Sequence, residues 1–213
     1  MPKLVDTAAA TFHAVVPDLA PDLRAALVSC IGEQRRAHAR FRPDPDPERH
    51  VSEDALRGTL TEHRDVSDVR TDPSLSNCLV FHTGGLPGSV DDPAVVGARE
   101  EIDEMVAHLL ASSLDGIAVA DAVASGHFWY PPGAYMGWHT NSRVPGWRAY
   151  LTWAAEPHRS FFRYAEPSTG DVLTSWDTAW DLRVFKVEAE RPLWHAVCSH
   201  TDRFSFGYRI VEP

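Results

Sequence analysis

The chain has 213 residues, and its 44% apolar and 23% charged residues are typical of a globular protein with one sizeable core. A formal net charge of −10 and a pI near 5.5 argue against an extended nucleic acid as partner, because neutralising phosphates requires a basic surface. The three cysteines are odd in number and have no CxxC spacing, which argues against a disulfide framework and a zinc knuckle. We therefore expect a cytoplasmic protein with neither a signal peptide nor a membrane span.

The first half of the chain, residues 1–115, contains none of the seven tryptophans and has mainly helical patterns. A helix predicted over 21–41 begins with a proline and carries basic residues in its last turns. A short helix over 52–63 begins at a serine that can cap it, and apolar residues at helical spacing predict a longer helix over 92–113. The run NCLVFH at 77–82 predicts a strand within this part.

After residue 115 the pattern changes to short apolar runs separated by turn residues. This density of short strands favours a closed or sandwiched antiparallel β-fold, with the earlier helices packed on one outer face. The predicted class is α+β with a mainly β core, in a single domain of residues 1–213. The predicted strands lie near 117–123, 126–130, 134–140, 147–154, 160–165, 171–175, 182–187, 193–199 and 203–211.

Two histidines on different predicted strands form the first candidate for a site. His139 closes the run YPPGAYMGWH, and His195 follows 56 residues later in the run LWHAVCS. Side-chain alternation places Tyr135 and His139 on one face of their strand and Met136 on the other. A single histidine is more often a surface or hydrogen-bonded core residue, but two that face one barrel mouth can bind a metal through ring nitrogens.

The last predicted strand, RFSFGYRIV, alternates aromatic residues with arginine, serine and glycine. If helices cover the aromatic face, Arg203, Ser205 and Arg209 point into the barrel interior. If the aromatic face is simply the core side of the strand, the arginines are solvated instead. Guanidinium groups inside a barrel need an anion, and a dicarboxylate held by a two-point salt bridge meets this requirement.

These motifs resemble those of the iron(II)- and 2-oxoglutarate-dependent oxygenases over roughly residues 126–211. The similar elements are Tyr-Pro-Pro-Gly ahead of His139, the strand GWRAYL, the run HAV and the run RFS. The resemblance implies a double-stranded β-helix of the jelly-roll or cupin-like kind over 116–213, with Fe(II) as cofactor and 2-oxoglutarate as co-substrate. It also implies His139, Asn141 and His195 as metal ligands and catalytic residues.

The resemblance further implies a set of residues for the co-substrate 2-oxoglutarate. Arg203 with Ser205 matches the RxS motif whose arginine binds the distal carboxylate. Arg203 follows His195 by only eight positions, fewer than is usual in the family, so Arg209 remains an alternative for this carboxylate. Tyr130, at the start of Tyr-Pro-Pro-Gly, is assigned to the same co-substrate site.

The family's HxD motif is His139-Thr140-Asn141 in this chain, so that a neutral and weaker amide replaces a carboxylate ligand. If the amide still ligates, the chain hydroxylates a C–H bond of its substrate with molecular oxygen. Alternatively, the amide leaves a coordination position open for a halide, as in the family's halogenases, or the domain is catalytically degraded and only binds. A cupin of the three-histidine type would need an HxH pair, which the sequence lacks.

The substrate expected from the sequence is a small polar metabolite, such as an amino acid or a nucleotide. Several arginines follow the first histidine motif and could receive an anionic group of such a molecule. They are Arg143, Arg148, Arg159 and Arg163. Neither a membrane nor an extended nucleic acid is expected as a partner.

Overall fold

A computed structural model describes residues 4–8, 10–37, 41–62, 66–67, 75–82 and 93–213. Within these residues the chain has three α-helices, one short 3₁₀ helix at Pro47–Val51 and twelve β-strands. The helices are α1 (Pro21–Ala37), α2 (Glu53–Thr61) and α3 (Pro93–Ser113). The strands are β1 (Val5–Asp6), β2 (Phe12–Val15), β3 (Leu79–His82), β4 (Leu114–Asp115), β5 (Asp121–Tyr130), β6 (Ala134–His139), β7 (Gly146–Ala154), β8 (Ser160–Ala165), β9 (Val172–Trp176), β10 (Trp180–Val187), β11 (His195–Ser199) and β12 (Arg203–Val211). None of the described helices is long and apolar enough to cross a membrane.

Most strands belong to two antiparallel sheets that pack face to face. The larger sheet has the order β2-β10-β7-β12-β5-β3, and the smaller sheet has the order β6-β11-β8-β9. From β5 to β12 the chain passes back and forth between the two sheets, which is the connectivity of a double-stranded β-helix. A separate parallel pair is formed by β1 and β4. The predicted fold class, α+β with a mainly β core of this kind, is confirmed.

The helices α1 and α3 cover the outer face of the larger sheet, as expected from the sequence. Apolar side chains such as Leu27 of α1 and Val106 of α3 pack with Phe204 and Phe206 of β12 in one buried cluster. Because alternate residues of a strand point to opposite faces, the polar residues of β12 lie on the inner face of the sheet. Helix cover therefore directs the polar side of β12 towards the barrel interior.

The 3₁₀ helix and α2 cover the outer face of the smaller sheet, so the expectation that the helices pack on one face holds for α1 and α3 but not for α2. Ser52 caps α2, because its hydroxyl accepts a hydrogen bond from the backbone N–H of Ala55 at 3.1 Å. The indole N–H of Trp138 donates to the backbone carbonyl of Ser52 at 2.8 Å, and Leu56 packs in the same cluster as Trp138. These contacts support the end of β6, where His139 lies.

The predicted strands differ from the structure in two further places besides the two-residue strands β1 and β4, which are absent from the predicted set. The strands predicted at 117–123 and 126–130 are one strand, β5, which shifts register against β12 between Gly207 and Tyr208. A β-carbon on Gly207 would lie 2.6 Å from the carbonyl oxygen of Gly126, so the two backbones approach more closely there than a side chain allows. The strand β2 is absent from the predicted set because its four residues, FHAV, form a short edge strand without clear alternation.

The helices predicted in the first half of the chain correspond to α1, α2 and α3, and the strand predicted there corresponds to β3. The helix predicted over 21–41 ends earlier, because α1 ends at Ala37. Positions 38–40, 63 and 92 of the predicted helices lie outside the described residues.

Candidate metal centre

The inner face of the larger sheet presents its residues in four levels. The neighbouring strands β7 and β12 place their inward-facing residues in register pairs. Each pair lies two residues, or about 6.7 Å, further along the strands than the pair before it. These pairs are termed the outer, second, third and deep levels. In that order they are Arg148 with Arg209, Tyr150 with Gly207, Thr152 with Ser205, and Ala154 with Arg203.

His139 and His195 face each other across β6 and β11. They are paired in the strand register, their ring centroids lie 4.0 Å apart, and both are at most 2% exposed. Nδ1 of His139 contacts the backbone carbonyl of Gly137 at 2.8 Å. Nδ1 of His195 contacts that of Leu193 at 2.9 Å. A carbonyl can only accept, so these hydrogen bonds fix the tautomer in which Nε2 carries the lone pair, the form that binds transition metals.

The orientation predicted for β6 is wrong, because this strand contains a β-bulge. Met136 and His139 both line the interior, whereas Tyr135 packs outward with residues of the 3₁₀ helix and α2. Between His195 and Val197, β11 advances two residues while β6 advances three. The extra residue interrupts the alternation and turns His139 away from the face of Tyr135 and into the barrel.

Asn141 lies beside the two rings. Its side-chain nitrogen is 3.3 Å from Nε2 of His195 and 3.3 Å from the hydroxyl oxygen of Tyr150, to which it donates. Its backbone has a φ of 56°, a left-handed conformation that asparagine adopts more readily than most residues. No group of three histidine, cysteine or acidic side chains suited to a metal occurs among the residues that the structure describes. The side chain beside this histidine pair is thus an amide and not a carboxylate.

The residues of this centre line a cavity of about 300 Å³. Most of the site residues assigned from the sequence line it, but Arg203 does not. Those that line it are Tyr130, His139, Asn141, His195, Ser205 and Arg209. Its basic residues are Arg143, Arg148 and Arg209, and no acidic side chain from the described ranges contributes to the wall.

Sequence reasoning missed Tyr150 as a site residue. Tyr150 lines the cavity at the second level and contacts Asn141 through its hydroxyl. Burial raises the pKa of Tyr150, so the hydroxyl stays protonated. The signal that could have found it is its spacing of two residues from Arg148 on one strand, which puts both on the same face.

Of the four arginines that the sequence suggested as partners for an anionic group of the substrate, only two reach the cavity. Arg143 and Arg148 line it. Arg163 belongs to the smaller sheet and donates to the backbone carbonyl of Val51 at 2.9 Å. Arg159 is exposed directly before β8. Arg143 and Arg148 are therefore the two members of this set that can meet a ligand in the cavity.

One solved structure matches this architecture over nearly its whole length. It is a prolyl hydroxylase from Trichoplax adhaerens in complex with a hypoxia inducible factor peptide fragment, with a TM-score of 0.58 and 11% sequence identity over 97% of this chain and 86% of that one. This chain shares the fold of that prolyl hydroxylase. A Pseudomonas putida prolyl-4-hydroxylase matches with a TM-score of 0.49 and 16% identity, over 96% of this chain and 95% of the other.

A third solved structure, full-length Neurospora crassa T7H in complex with alpha-KG, matches with a TM-score of 0.45 and 12% identity, over 95% of this chain and 76% of that one. No protein-family model matches the sequence, and a comparison with curated proteins gives no match either.

Arg203 is held at the deep level by Asp177. Nε of Arg203 donates to one carboxylate oxygen of Asp177 at 2.9 Å, and Arg183 donates to the other at 2.7 Å. Cζ of Arg203 lies 4.9 Å from the ring centre of Tyr130, which itself lines the cavity. The expectation that both arginines of β12 point into the cavity is therefore met by Arg209 alone. Sequence reasoning gave no reason to single out Asp177, because its partners lie on other strands.

The cluster of Arg203, Asp177 and Arg183 carries one positive charge in excess, since two guanidinium groups share one carboxylate. All three side chains are at most 1% exposed. Burial raises the pKa of Asp177, but Arg203 and Arg183 lower it more, so the carboxyl group stays ionised. Nη1 of Arg203 is buried and has no hydrogen-bond acceptor within the described part of the chain. An anion that reached this level would lower the cost of the buried charge.

The metal-free protein is expected to lose stability as the pH falls below about 6.5. Burial, followed by the charge of His139, lowers the pKa of His195 well below its ordinary value of 6.5. The unfolded chain therefore binds a proton that the folded protein excludes, and the free energy of unfolding falls towards acid pH by up to about 1.4 kcal/mol per pH unit. Urea unfolding at about pH 7.5 and about pH 5.5 measures this change. The decrease should be smaller in His195→Ala, and an equal decrease would contradict this origin.

Proposed function

We propose that the chain is an iron(II)- and 2-oxoglutarate-dependent oxygenase that hydroxylates a C–H bond of a small polar molecule. One observation carries the proposal. The buried rings of His139 and His195 lie 4.0 Å apart beside the amide of Asn141, at the wall of a cavity. The Trichoplax adhaerens protein that shares the fold is a hydroxylase by its name, which agrees with this chemistry.

The two imidazoles and the amide would hold ferrous iron, which suits nitrogen and oxygen donors. Backbone carbonyls orient both rings through their Nδ1–H groups, so the ring directions are set before a metal binds. The Asn141 amide nitrogen donates to the hydroxyl of Tyr150 and lies 3.3 Å from Nε2 of His195, and the amide oxygen is the atom that would ligate the metal. When bound, the iron together with 2-oxoglutarate and oxygen supplies oxidising chemistry that side chains lack.

We assign the distal carboxylate of 2-oxoglutarate to Ser205 and Arg203. The third level lies about 6.7 Å from the second level, where Tyr150 contacts Asn141, and this is close to the length of a five-carbon diacid. Ser205 lines the cavity at the third level, and Arg203 brings excess positive charge with an unpartnered Nη1. A shift of the Tyr130 ring, which lies over Arg203, would bring the carboxylate to that nitrogen.

Hydroxylation is favoured over halogenation by the position of Asn141. A halogenase needs an open coordination position, but in this chain the amide lies 3.3 Å from Nε2 of His195 and occupies that space. The cavity volume of about 300 Å³ supports a small substrate, of the size of an amino acid or a nucleotide.

An anaerobic titration tests the proposal without knowledge of the substrate. The protein, ferrous iron and 2-oxoglutarate together should develop a visible charge-transfer absorption band that no two of them give alone. Admission of oxygen should then yield succinate, and added bromide should appear in no product. Protein that takes up 2-oxoglutarate but gives neither the band nor succinate would be a binding domain, and the proposal would be overturned.

A further inference from the structure

Arg148 and Arg209 form a pair of like charges at the outer level of the barrel. They lie directly opposite each other on β7 and β12, and both line the cavity. Arg148 is only 4% exposed, and its guanidinium donates to the backbone carbonyls of Trp147 and Val144. Like charges that face each other on paired strands are destabilising, so the arrangement requires a source of compensation.

The part of the chain that the structure describes contributes no carboxylate to this pair. Acidic side chains there form no ion pair with Arg148 or Arg209, and none lines the cavity. Arg183 and Arg203 differ in this respect, because they share Asp177. Burial lowers the pKa of Arg148, and the positive charge of Arg209 also lowers it. An anion between the two guanidinium groups would remove this repulsion and satisfy their free donors.

We propose that Arg148 and Arg209 bind an oxyanion carried by the substrate, either a carboxylate or a phosphate. The inference rests on the proposed function, since it assigns the substrate side of the same site. The pair lies one level, about 6.7 Å, from Tyr150, on the side opposite to Ser205 and Arg203. Because 2-oxoglutarate is assigned to Ser205 and Arg203, the guanidinium groups of Arg148 and Arg209 remain available to bind a second anion.

The position of the pair restricts the substrate. An oxyanion at the outer level lies about 6.7 Å from the level of the metal-binding residues, so the C–H bond to be oxidised is only a few bonds from the acidic group. Small carboxylic acids and phosphorylated metabolites meet this condition, and planar guanidinium groups bind both anions through paired hydrogen bonds. A residue in the middle of a peptide, without an anionic group of its own, does not meet it.

Thermal unfolding of the iron- and 2-oxoglutarate-loaded protein, under anaerobic conditions, tests this subsite. Inorganic phosphate and acetate serve as probes at constant ionic strength, with chloride as the reference. At least one probe should raise the unfolding temperature of the wild-type protein. Its apparent affinity should be at least about tenfold weaker in Arg148→Gln and in Arg209→Gln. Arg24→Gln, which changes an exposed arginine of α1, is the matched control and should behave as wild type.

The two probes distinguish a carboxylate from a phosphate as the recognised group. Because Arg209 is partly exposed, Arg209→Gln keeps the test informative if Arg148→Gln fails to fold. The inference is overturned if neither probe stabilises the protein more than chloride, or if the folded variants bind as tightly as wild type. It is also overturned if saturating 2-oxoglutarate abolishes the effect of the probe, because the pair would then hold the co-substrate.

The charge-transfer band of the same variants separates this inference from the proposed function. The band should persist in Arg148→Gln and Arg209→Gln, because the co-substrate is assigned to the other end of the cavity. Its absence in the wild-type protein would overturn the proposed function itself, independently of the anion result.

Discussion

Replacing His195 by alanine is expected to weaken iron binding at least about 100-fold and to abolish iron-dependent succinate formation. The two buried rings lie 4.0 Å apart, and loss of one leaves a single imidazole and the Asn141 amide as donors. Two neutral or weak donors hold a divalent metal poorly in competition with water. The measurement is the charge-transfer titration with ferrous iron and 2-oxoglutarate. His139→Ala should give the same result, because both rings present Nε2 in the same manner.

The matched control for the histidine variants is His108→Ala, which changes an exposed histidine of α3 and should titrate as wild type. Metal-free thermal unfolding of each variant separates loss of the site from loss of the fold. A well-folded His195→Ala protein with unchanged iron affinity would refute the assignment of this ring as a ligand.

Replacing Asp177 by asparagine is expected to lower the free energy of unfolding by about 3–5 kcal/mol. Asparagine keeps the size of the side chain but removes the one carboxylate that Arg183 and Arg203 share. Both guanidinium groups would then be buried without a counter-charge. The hydroxyl of Ser160, which donates to Asp177 at 2.6 Å, can still find an acceptor in the amide oxygen. Urea unfolding at neutral pH measures the change.

The control for this variant is Asp54→Asn. The carboxylate of Asp54 is largely exposed and pairs with Arg57 on the surface of α2, so water replaces the lost partner. This variant should unfold close to wild type. If Asp177→Asn is no less stable than the control, Arg183 and Arg203 must have another source of counter-charge, and Asp177 is not what stabilises them.

The division of β12 into an aromatic and a polar face could be predicted from its own residues. Its aromatic and polar side chains alternate without interruption, and in the structure Phe204 and Phe206 pack against helices while Ser205 and Arg209 line the cavity. The alternation of a regular strand depends on backbone geometry alone, so the pattern separated the two faces, and the helices packed on the aromatic face decided which of them is inner. The same reasoning failed for β6, because a bulge changes the count of residues between two positions, and nothing in the run AYMGWH indicates it.

The choice between the two arginines of β12 could not be made from the sequence. Arg203 and Arg209 have the same side-chain type and lie on the same face of one strand. What distinguishes them is Asp177, which comes from the turn before β10 and pairs with Arg203, and Arg148, which faces Arg209 from β7. A local sequence pattern does not indicate partners that come from distant parts of the chain.

The sequence by itself determined the class of the fold, the order in which the two histidines enter the barrel, and the separation of an aromatic from a polar face on its last strand. These features follow from side-chain periodicity and from residue order, which are local properties. Only the tertiary structure decided that His139 faces His195, that Arg203 is already paired, and that Arg148 and Arg209 are left together without a described carboxylate. Each of these features depends on strand register and on which side chains of separate strands meet. A charge is compensated by the groups that surround it in space, whatever their separation along the chain.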